Sequence, residues 1–531
     1  MTRQSAGRTV AIFGYGVVAP GARDLRAFRG VFERGASVLA PDPRAALGHG
    51  IFPDGDPDFD PESLRAWVTS RHGDPRYQQI RSKLGDNCLF AIGAFVQAIE
   101  AMPALEAALR EADLKTHVYI GSGVGDLRES YAAHESLTRA TRAWNRFWSH
   151  ESRCPALRAY RAEGAQPEGA SPPPDPLTFE PDSDARFDAL HAWHAYWAER
   201  SGALTQFERA YAEIERTPVG EGERGALHAI KARQRAHRKL IEDTGCPPPP
   251  WTSVDPRLIW AIQNVPAAQV AMLLGTHGPA WAPVGACATF GVALKCARDA
   301  IVRGEADAAV VGTTDPRPDA ALLAAFHRAR LAPATGAVNM PLTSLLGTHV
   351  AGGACVWIIA DVDAMARRGV KPVGPVIESV ALSEDAEHII TPSAEGPKNA
   401  IRQALGEAHV TPDTLAAWDL HATGTPGDLS ELELSREFLG PRTAVSARKG
   451  LFGHGMANAG AWELTALALG LTEGRAFASG VEASGVHPAL CAKYGDALVT
   501  DRGRALDGNF AVKVMLGVGG LTACVVLRAG P

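Results

Sequence analysis

Residues 281–313 read WAPVGACATFGVALKCARDAIVRGEADAAVVGT, and they predict a turn, a helix and a strand in succession. Small residues precede Cys287, and the helix that follows is amphipathic, with Phe290 and Leu294 on one face. The run AAVVGT at residues 308–313 has the continuous apolar character of a buried strand. We therefore expect Cys287 at the first turn of a helix, where free N–H groups and the helix dipole favour a thiolate. The alternative is a small buried core residue.

Strands and helices alternate on both sides of this segment. Val10–Val18 and His117–Ile120 are strand-like, and Asn87–Leu109 is an Ala-rich helical stretch interrupted near Pro103. Further strand-like runs are Val356–Ala360, Val373–Leu382 and Leu516–Leu527. The pattern predicts an α/β protein with a mostly parallel sheet covered by helices.

The composition changes between about residues 128 and 251. Proline clusters at residues 172–174 and 247–250 enclose polar helices rich in Arg and Glu. One helix has apolar residues at spacings of three and four, namely Phe187, Leu190, Trp193 and Trp197. We interpret this region as a helical insertion bounded by stiff linkers. It falls within an N-terminal half, residues 1–270, and a C-terminal half with the nucleophile helix covers residues 271–531.

The overall composition excludes several functional classes. Hydrophobic residues make up 46% of the 531 residues, which is enough to bury a large core, and a net charge of -6 disfavours a nucleic-acid surface. The eight cysteines form no CxxC pair, which argues against zinc and against a disulfide framework. The apolar run Val10–Pro20 contains Gly14 and Gly16 and lacks signal-peptide features, so we interpret it as a strand. We expect a cytoplasmic protein without a membrane span.

A second candidate segment, WDLHATGTPGDLSE, covers residues 418–431. A short strand-like run ends at His421, and a loop of small and hydroxyl residues follows. In such a loop the histidine can face a cavity, while Thr423 and Thr425 offer hydrogen bonds to a polar ligand arm. The alternative is a structural histidine that caps a turn.

A third segment, ARKGLFGHGMANAGAWE, covers residues 447–463 and precedes a predicted helix, Met456–Leu469. Gly453 and Gly455 flank His454 and permit a close approach of the backbone, and Lys449 lies five residues earlier. The alternative is a plain strand-to-helix turn.

A fourth segment, VMLGVGGLTACVVL, covers residues 514–527, and its three glycines interrupt an apolar strand. Such glycines either free backbone N–H groups for an oxyanion or mark a bulge.

These segments, in this order, resemble those of the β-ketoacyl synthase (ketosynthase) family. GACATF resembles the family's TACSSS, HATGTPGD resembles HGTGTPLGD, KGLFGHGMANAG resembles KSNIGHTEAAAG, and GVGGLTA resembles GFGGTNA. The resemblance covers residues 10–127 and 258–528. It implies the thiolase-like fold, a duplicated α/β/α/β/α layered structure, here with an α-helical insertion.

The resemblance also implies a mechanism. Cys287 would take an acyl group from a carrier protein as a thioester, and His421 and His454 would stabilise the enolate of a malonyl-type extender. The N–H groups of Cys287 and Val518 would form the oxyanion hole, and Lys449 would order the second histidine. Substrate contacts are expected from Thr423, Thr425, Phe290 and Gly519. No metal or cofactor is expected besides the phosphopantetheine arm of the carrier.

The implied partners are an acyl carrier protein acting in trans and a second subunit, in a homodimer or with a related chain. Four departures from the family pattern suggest an atypical member in polyketide or other specialised acyl biosynthesis. The loop after His421 is one residue shorter, Leu516 and Val518 replace phenylalanines, and Gly352 stands where a glutamate usually partners the lysine. The helical insertion is the fourth.

Three other interpretations remain. A dinucleotide-binding enzyme would use Gly14, Gly16 and Gly21, but Pro20 would disrupt the required helix. A hydrolase is disfavoured because no GxSxG motif occurs. A non-condensing relative, whether acyltransferase, decarboxylase or partner subunit, is the stronger alternative, although partner subunits usually lose the cysteine.

Overall fold

The computed structural model of the chain describes residues 7–39, 57–167, 169–218, 222–333, 338–385 and 394–530. The strands are β1 (Val10–Val18), β2 (Thr116–Gly121), β3 (Ala280–Trp281), β4 (Ala308–Asp315), β5 (Gly353–Asp361), β6 (Val376–Ser383), β7 (Leu415–Asp419), β8 (Ala444–Ser446), β9 (Arg475–Ala476), β10 (Arg504–Ala505), β11 (Phe510–Leu516) and β12 (Thr522–Arg528). The α-helices are α1 (Leu25–Arg34), α2 (Arg65–His72), α3 (Asp74–Lys83), α4 (Asp86–Glu100), α5 (Pro103–Leu109), α6 (Leu127–Trp148), α7 (Pro155–Glu163), α8 (Asp184–Glu199), α9 (Gly202–Glu215), α10 (Gly222–Thr244), α11 (Val265–Leu274), α12 (Thr289–Val302), α13 (Ala320–Arg328), α14 (Val362–Ala366), α15 (Glu395–Glu407), α16 (Gly427–Ser435), α17 (Lys449–Phe452), α18 (Asn458–Glu473) and α19 (Pro488–Tyr494).

The main sheet consists of two halves with the same strand order. Its ten strands run β3-β2-β4-β5-β1-β6-β12-β11-β7-β8. When each half is numbered in chain order from its own first strand, both read 3-2-4-5-1 from the outer edge. In both halves the second strand is parallel to the third and fourth, and the fifth is antiparallel to the fourth and first. In the register of the described strands, Ala11 pairs with Val376 across the two halves. The matching strand order and directions confirm the predicted duplicated fold.

Two buried helices lie between the half-sheets. α12 and α18 contact each other and contact strands of both halves. α4 covers the outer face of the first half-sheet, and α15 covers that of the second. This gives five layers in the order α/β/α/β/α. α4 and α18 are apolar on almost every side, as helices enclosed between layers must be.

The sheet is mixed, so the prediction of a mostly parallel sheet was wrong. β11 and β12 are joined by a short turn at residues 517–521, and a connection this short forces antiparallel pairing. The glycines at 517, 519 and 520 thus lie in a hairpin turn, where the sequence had suggested one interrupted strand. The predicted helix at Met456 begins two residues later, because Met456 has a positive φ of 53° that no α-helix accepts.

Residues 128–258 form a compact unit of their own. In its described part this unit has helices and no strands. Its interior is built from two apolar clusters, one around Trp144, Trp148 and Phe207 and one around Trp193 and Trp197. The predicted apolar face of α8 is only half correct, because Phe187 and Leu190 are exposed. Along the chain, the two half-sheets divide between β5 and β6, so the predicted division at residue 270 does not coincide with the division of the sheet.

Among the described helices, none alone is long and apolar enough to cross a membrane. The bent pair α4 and α5 reaches that length and composition only together, and α4 is a buried core helix.

Candidate functional site

Cys287 lies in a short 3₁₀ turn, Ala286–Ala288, that runs directly into α12. Its side chain is buried, and Ala286 before it has a left-handed φ of 48°. Burial has the largest effect on the pKa of this thiol and raises it, while the charge of Lys449 and hydrogen bonding from the backbone N–H groups of Val518 and Cys287 itself lower it. The structure therefore brings the cysteine, the glycine-rich hairpin turn and the lysine together from three distant parts of the chain.

The balance of effects on the thiol differs from the sequence-based expectation of a stabilised thiolate. Burial raises the pKa of Cys287 to about 11, more than the nearby N–H groups and Lys449 lower it. Desolvation penalises the charged form most strongly where water is excluded. At neutral pH the side chain is therefore a thiol.

His421 follows β7, and its main chain is held by acidic residues of α16. Glu431 accepts hydrogen bonds from the N–H groups of His421 at 2.5 Å and Ala422 at 2.7 Å. Asp428 accepts those of Thr423 at 2.8 Å and Gly424 at 3.1 Å. The His421 Nδ1 atom is buried and has no hydrogen-bond partner in the described part of the chain. The main chain, together with ring packing against His454, therefore sets the orientation of this ring.

His454 is fixed through both its backbone and its ring. Its N–H donates to the carbonyl of His349 at 2.6 Å, and its Nδ1 accepts the N–H of Met456 at 3.0 Å. Because Nδ1 is an acceptor, a neutral ring carries its proton on Nε2. The rings of His421 and His454 meet edge to face with centroids 5.7 Å apart.

Both histidines are neutral in this environment. Burial lowers the pKa of His454 to about 3, with a further lowering from Lys449. Burial, followed by the charges of Lys449, His454 and Lys513, holds the pKa of His421 well below its usual value. Lys449 thus acts electrostatically on both imidazoles and on Cys287. The three predicted reactive side chains share one buried neighbourhood.

Lys449 contacts a different histidine from the one expected. Its ammonium group donates to the main-chain carbonyl of His421, and its own carbonyl accepts the N–H of Gly453, the residue before His454, at 2.7 Å. It also donates to both carboxylate oxygens of Glu463 in α18, at 2.9 and 3.0 Å. The lysine is therefore paired, despite the glycine at position 352.

Gly352 has no room for a side chain. A Cβ atom there would lie 2.4 Å from the carbonyl oxygen of Pro316. Position 352 lacks the glutamate, as the sequence indicated, and Glu463 supplies a carboxylate to the lysine from another element.

The four expected substrate contacts differ in accessibility. Thr423 and Thr425 are half-buried, and their hydroxyls lie 2.9 Å apart in a mutual hydrogen bond. Gly519 is exposed, with a φ of 108°. Phe290 is wholly buried, with its ring 5.1 Å from that of Trp357, so it lies behind the nucleophile in the core. Val518 is 49% exposed and leaves the turn open where the family has a phenylalanine.

Several charged residues beside the site were missed from the sequence. Asp419, Arg448, Glu463 and Lys513 are all buried around Lys449. The signal was present: Lys513 is the one charge in the apolar strand FAVKVML, and Glu463 is the one charge in NAGAWELTALALG. A charge inside an apolar element has to be paired when buried, which predicts a partner in the core.

Asp315 was also missed. It ends β4 and is fully buried, and it accepts hydrogen bonds from Ser122 Oγ at 2.8 Å and from the N–H groups of Gly123, Val124 and Ala457 at 3.0, 2.9 and 2.8 Å. It thereby links the loop after β2 to the loop that carries His454. Burial raises its pKa to about 6, and its charge raises the pKa of Cys287.

In the described ranges, no group of three or more His, Cys, Asp or Glu side chains is arranged to hold a metal ion.

Two segments match sequence descriptions of known domains. Residues 212–362 match "Beta-ketoacyl synthase, N-terminal domain" and residues 375–479 match "Beta-ketoacyl synthase, C-terminal domain". Cys287 lies in the first segment, and His421 and His454 lie in the second.

Curated relatives resemble part of the chain. Nodulation protein E of Rhizobium meliloti (strain 1021) is 29% identical over 249 residues, which is 46% of this chain and 60% of the relative. 3-oxoacyl-[acyl-carrier-protein] synthase 2 of Staphylococcus aureus (strain COL) is 27% identical over 282 residues, 50% of this chain and 66% of the relative. The chain thus spans less than two thirds of either relative.

Solved structures match over nearly the whole chain. The ishigamide ketosynthase/chain length factor aligns with a TM-score of 0.67 at 18% identity, covering 99% of this chain and 100% of that one. A β-ketoacyl synthase from Burkholderia phymatum STM815 aligns at 0.65 and 15% identity, with the same coverage. The AntDE:AntF complex, a type II PKS acyl-carrier protein with its ketosynthase, aligns at 0.63 and 16% identity, covering 98% of this chain and 100% of that one. At these identities the likeness establishes the fold.

Proposed function

This chain belongs to the β-ketoacyl synthase family, and we propose that it catalyses decarboxylative condensation of a carrier-bound acyl group with a malonyl-type extender. The main support is the position of Cys287, whose pKa is lowered by the charge of Lys449 and by the N–H groups of Val518 and Cys287 itself. The same lysine lowers the pKa of His421 and of His454. Few structural roles require a nucleophile, two hydrogen-bond donors for an oxyanion and two neutral imidazoles in one place.

In the first half-reaction, the sulfur of Cys287 attacks the carbonyl carbon of the acyl thioester on the carrier. The N–H groups of Cys287 and Val518 hold the developing oxyanion. The bond to the pantetheine sulfur breaks, and the cysteine proton leaves with that thiol. A cysteine with a pKa of about 11 needs this coupled proton transfer, because little free thiolate exists beforehand.

In the second half-reaction, the carbon–carbon bond to the malonyl carboxylate breaks and CO₂ leaves. The electron pair moves into the thioester as an enolate, whose oxygen accepts hydrogen bonds from the neutral rings of His421 and His454. The Nε2 proton of His454 is available for this bond because Nδ1 is already an acceptor. The enolate carbon then attacks the acyl-cysteine, the sulfur of Cys287 leaves and is reprotonated, and the β-ketoacyl chain stays on the carrier.

We infer that the carrier acts in trans and that its phosphopantetheine arm reaches the cysteine past the hydroxyls of Thr423 and Thr425. We also infer that the acyl substrate comes from polyketide or other specialised metabolism. Val518 and Leu516 replace the bulky aromatic residues of the family, which leaves a wider entrance for unusual acyl chains.

The cytoplasm is the expected location.

A second subunit is expected at the outer edge of the first half-sheet. β3 is the terminal strand of the main sheet, and Trp281 and Val284 beside it are 49% and 51% exposed. An exposed strand edge with large apolar side chains is a site of pairing between chains. We propose a homodimer here, with a related chain as the alternative partner.

A non-condensing relative is the second candidate, and one solved neighbour is a ketosynthase/chain length factor. The presence of Cys287, His421 and His454 around one lysine favours the condensing enzyme.

Intact-protein mass spectrometry with an acyl-loaded carrier protein separates these candidates. We expect an acyl adduct on the wild type and none on Cys287→Ala. Malonyl carrier is then added: conversion of the adduct to a β-ketoacyl carrier supports condensation, and a stable adduct supports acyl transfer alone. No adduct with any acyl donor, under conditions where the protein is folded, would contradict the proposed function.

A further inference from the structure

Five buried charges form one connected cluster near the histidines. Lys513 on β11 donates to Asp419 Oδ1 at 2.8 Å and lies 2.6 Å from Glu463 Oε2. Asp419 in turn contacts Arg448 and accepts from Ser446 Oγ at 2.8 Å. Glu463 joins Lys513 to Lys449. Glu431 is a further buried acidic group, and its charge acts on Lys513 without a direct contact. From one end of the cluster to the other, positive and negative side chains alternate in the order Arg448, Asp419, Lys513, Glu463 and Lys449.

The lysines hold two consecutive carbonyl groups. Lys513 donates to the carbonyl of Leu420 at 2.7 Å, and Lys449 donates to that of His421. Glu431 accepts the next two N–H groups, those of His421 and Ala422. The main chain at the catalytic histidine is therefore held on both its acceptor and its donor groups by charged side chains.

Such a cluster is a poor way to gain stability. Lys513, Asp419 and Glu463 are each wholly buried, and desolvation of charges offsets most or all of their mutual attraction. Burial lowers the pKa of Lys513, which shows the cost of charging it. An apolar residue would fill the same space on β11 at no such cost. The ammonium group instead provides orientation, because its hydrogen bonds hold one carbonyl group and two carboxylates in fixed positions at once.

We propose that Lys513 is a positioning residue of the condensing site, which sets the His421 ring by holding the carbonyl of Leu420 and sharing Glu463 with Lys449. Among the described residues Nδ1 of His421 has no hydrogen-bond partner, so the ring is placed by its main chain and by its packing against the His454 ring. A misplaced ring weakens the bond to the enolate oxygen, whereas Cys287 lies on another element. The N–H of Val518 lies in the hairpin turn that follows β11, but the Lys513 ammonium group donates to Asp419 and the carbonyl of Leu420, which belong to β7 and the residue after it. Lys513 thus serves the decarboxylation half-reaction and not the loading of Cys287. This inference rests on the proposed function.

The test compares four variants in two assays. Lys513→Met removes the ammonium group but keeps an unbranched chain, Lys513→Arg keeps a cation, and Asp419→Asn removes one anchor of the lysine. Lys493→Met is the matched control, since Lys493 is an exposed lysine that pairs with Glu433. The assays are single-turnover acylation of Cys287, followed by mass spectrometry, and release of CO₂ from malonyl carrier protein. Circular dichroism and thermal melting establish that each variant is folded.

We expect Lys513→Met to lower kcat for decarboxylation by about 30-fold, which lies within the loss that a small misplacement of a catalytic group causes. The rate of acylation and the KM should stay within about threefold of the wild-type values. Asp419→Asn should lose less, because Lys513 keeps its bond to Leu420. Lys513→Arg should recover part of the rate. Equal losses in both assays, or decarboxylation by a folded Lys513→Met at the rate of Lys493→Met, would overturn the proposal. If Lys513→Met does not fold, Lys513→Arg and Asp419→Asn decide between the same outcomes.

A readout that needs no turnover separates this inference from the proposed function. In protein with ¹⁵N-labelled histidine rings, His421→Gln identifies the His421 signals. We expect these signals to shift in Lys513→Met and to stay in place in Lys493→Met. If the wild type neither loads acyl groups nor releases CO₂ while the signals shift, the proposed function fails and the positioning role stands. Unshifted signals refute the positioning role whatever the activity.

Discussion

Glu431 accepts the backbone N–H of His421 at 2.5 Å, so a carboxylate from α16 holds the main chain of the predicted catalytic histidine. Burial raises the pKa of Glu431 to about 7, against the lowering by its backbone hydrogen bonds and Lys513. A protonated carboxyl would direct one O–H towards an N–H group that needs an acceptor. The carboxylate form therefore predominates only above about pH 7.

We predict that Glu431→Gln lowers decarboxylation of malonyl carrier by about tenfold or more, because its amide presents a donor where an acceptor is needed. In the wild type the rate should fall as the pH drops below about 7, and in the variant this dependence on Glu431 should be absent. Initial rates between pH 5.5 and 8.5 test both points. Glu433→Gln, on the exposed face of the same helix, is the control. A variant with wild-type rate and pH profile would contradict the role of Glu431.

We predict that alkylation of Cys287 in the empty enzyme accelerates with pH and does not level off below about pH 10. The thiol has a pKa of about 11, so the reactive thiolate fraction rises about tenfold for each pH unit below that value. Iodoacetamide labelling followed by peptide mass spectrometry measures the rate at Cys287, with Cys287→Ala as the blank. A plateau near pH 7 would show a stabilised thiolate, as the position at a helix end had suggested from the sequence.

We predict that Trp281→Lys weakens or abolishes a dimer that the wild type forms. The side chain lies on the edge strand β3 and is 49% exposed, so a charge there would be buried unpaired in an interface. Size-exclusion chromatography with light scattering measures the mass at several concentrations. Trp251→Lys is the matched control, because Trp251 is 56% exposed and lies in the helical unit of residues 128–258. A wild type that stays monomeric at every concentration would contradict the proposed edge contact.

The fold was predictable because its elements carry strong local patterns. Val10–Val18 is β1 as predicted, and the break near Pro103 separates α4 from α5. Strand direction was not predictable, because parallel and antiparallel strands that are buried on both faces have the same apolar sequence. The glycines at 517–520 were ambiguous for a related reason: a turn between two apolar strands and a bulge within one strand leave similar signals.

The candidate site was predictable where glycine and hydroxyl residues mark it. Cys287, His421 and His454 were identified by motifs, and the structure brings Lys449 to all three. The charged residues around Lys449 could not be predicted, because side chains from α18 and β11 come together only through tertiary packing. Lys449 and Glu463 are separated by 14 residues, and Lys513 and Asp419 by 94. The sequence comparison looked for the carboxylate partner of Lys449 at position 352, whereas it comes from Glu463 in α18.

We predict that Gly352→Ala destabilises the protein by about 1–3 kcal/mol, the usual cost of forcing extra atoms into a packed site. Its Cβ would lie 2.4 Å from the carbonyl oxygen of Pro316, and backbone on both sides has to shift to relieve this contact. Gly406→Ala, at the exposed end of α15 with no atom within 4 Å, is the matched control and should stabilise by about 0.5–1 kcal/mol. Urea unfolding of both variants measures the difference. Equal stability of Gly352→Ala and the wild type would mean that position 352 has space, and that packing does not explain why the lysine takes its carboxylate from α18.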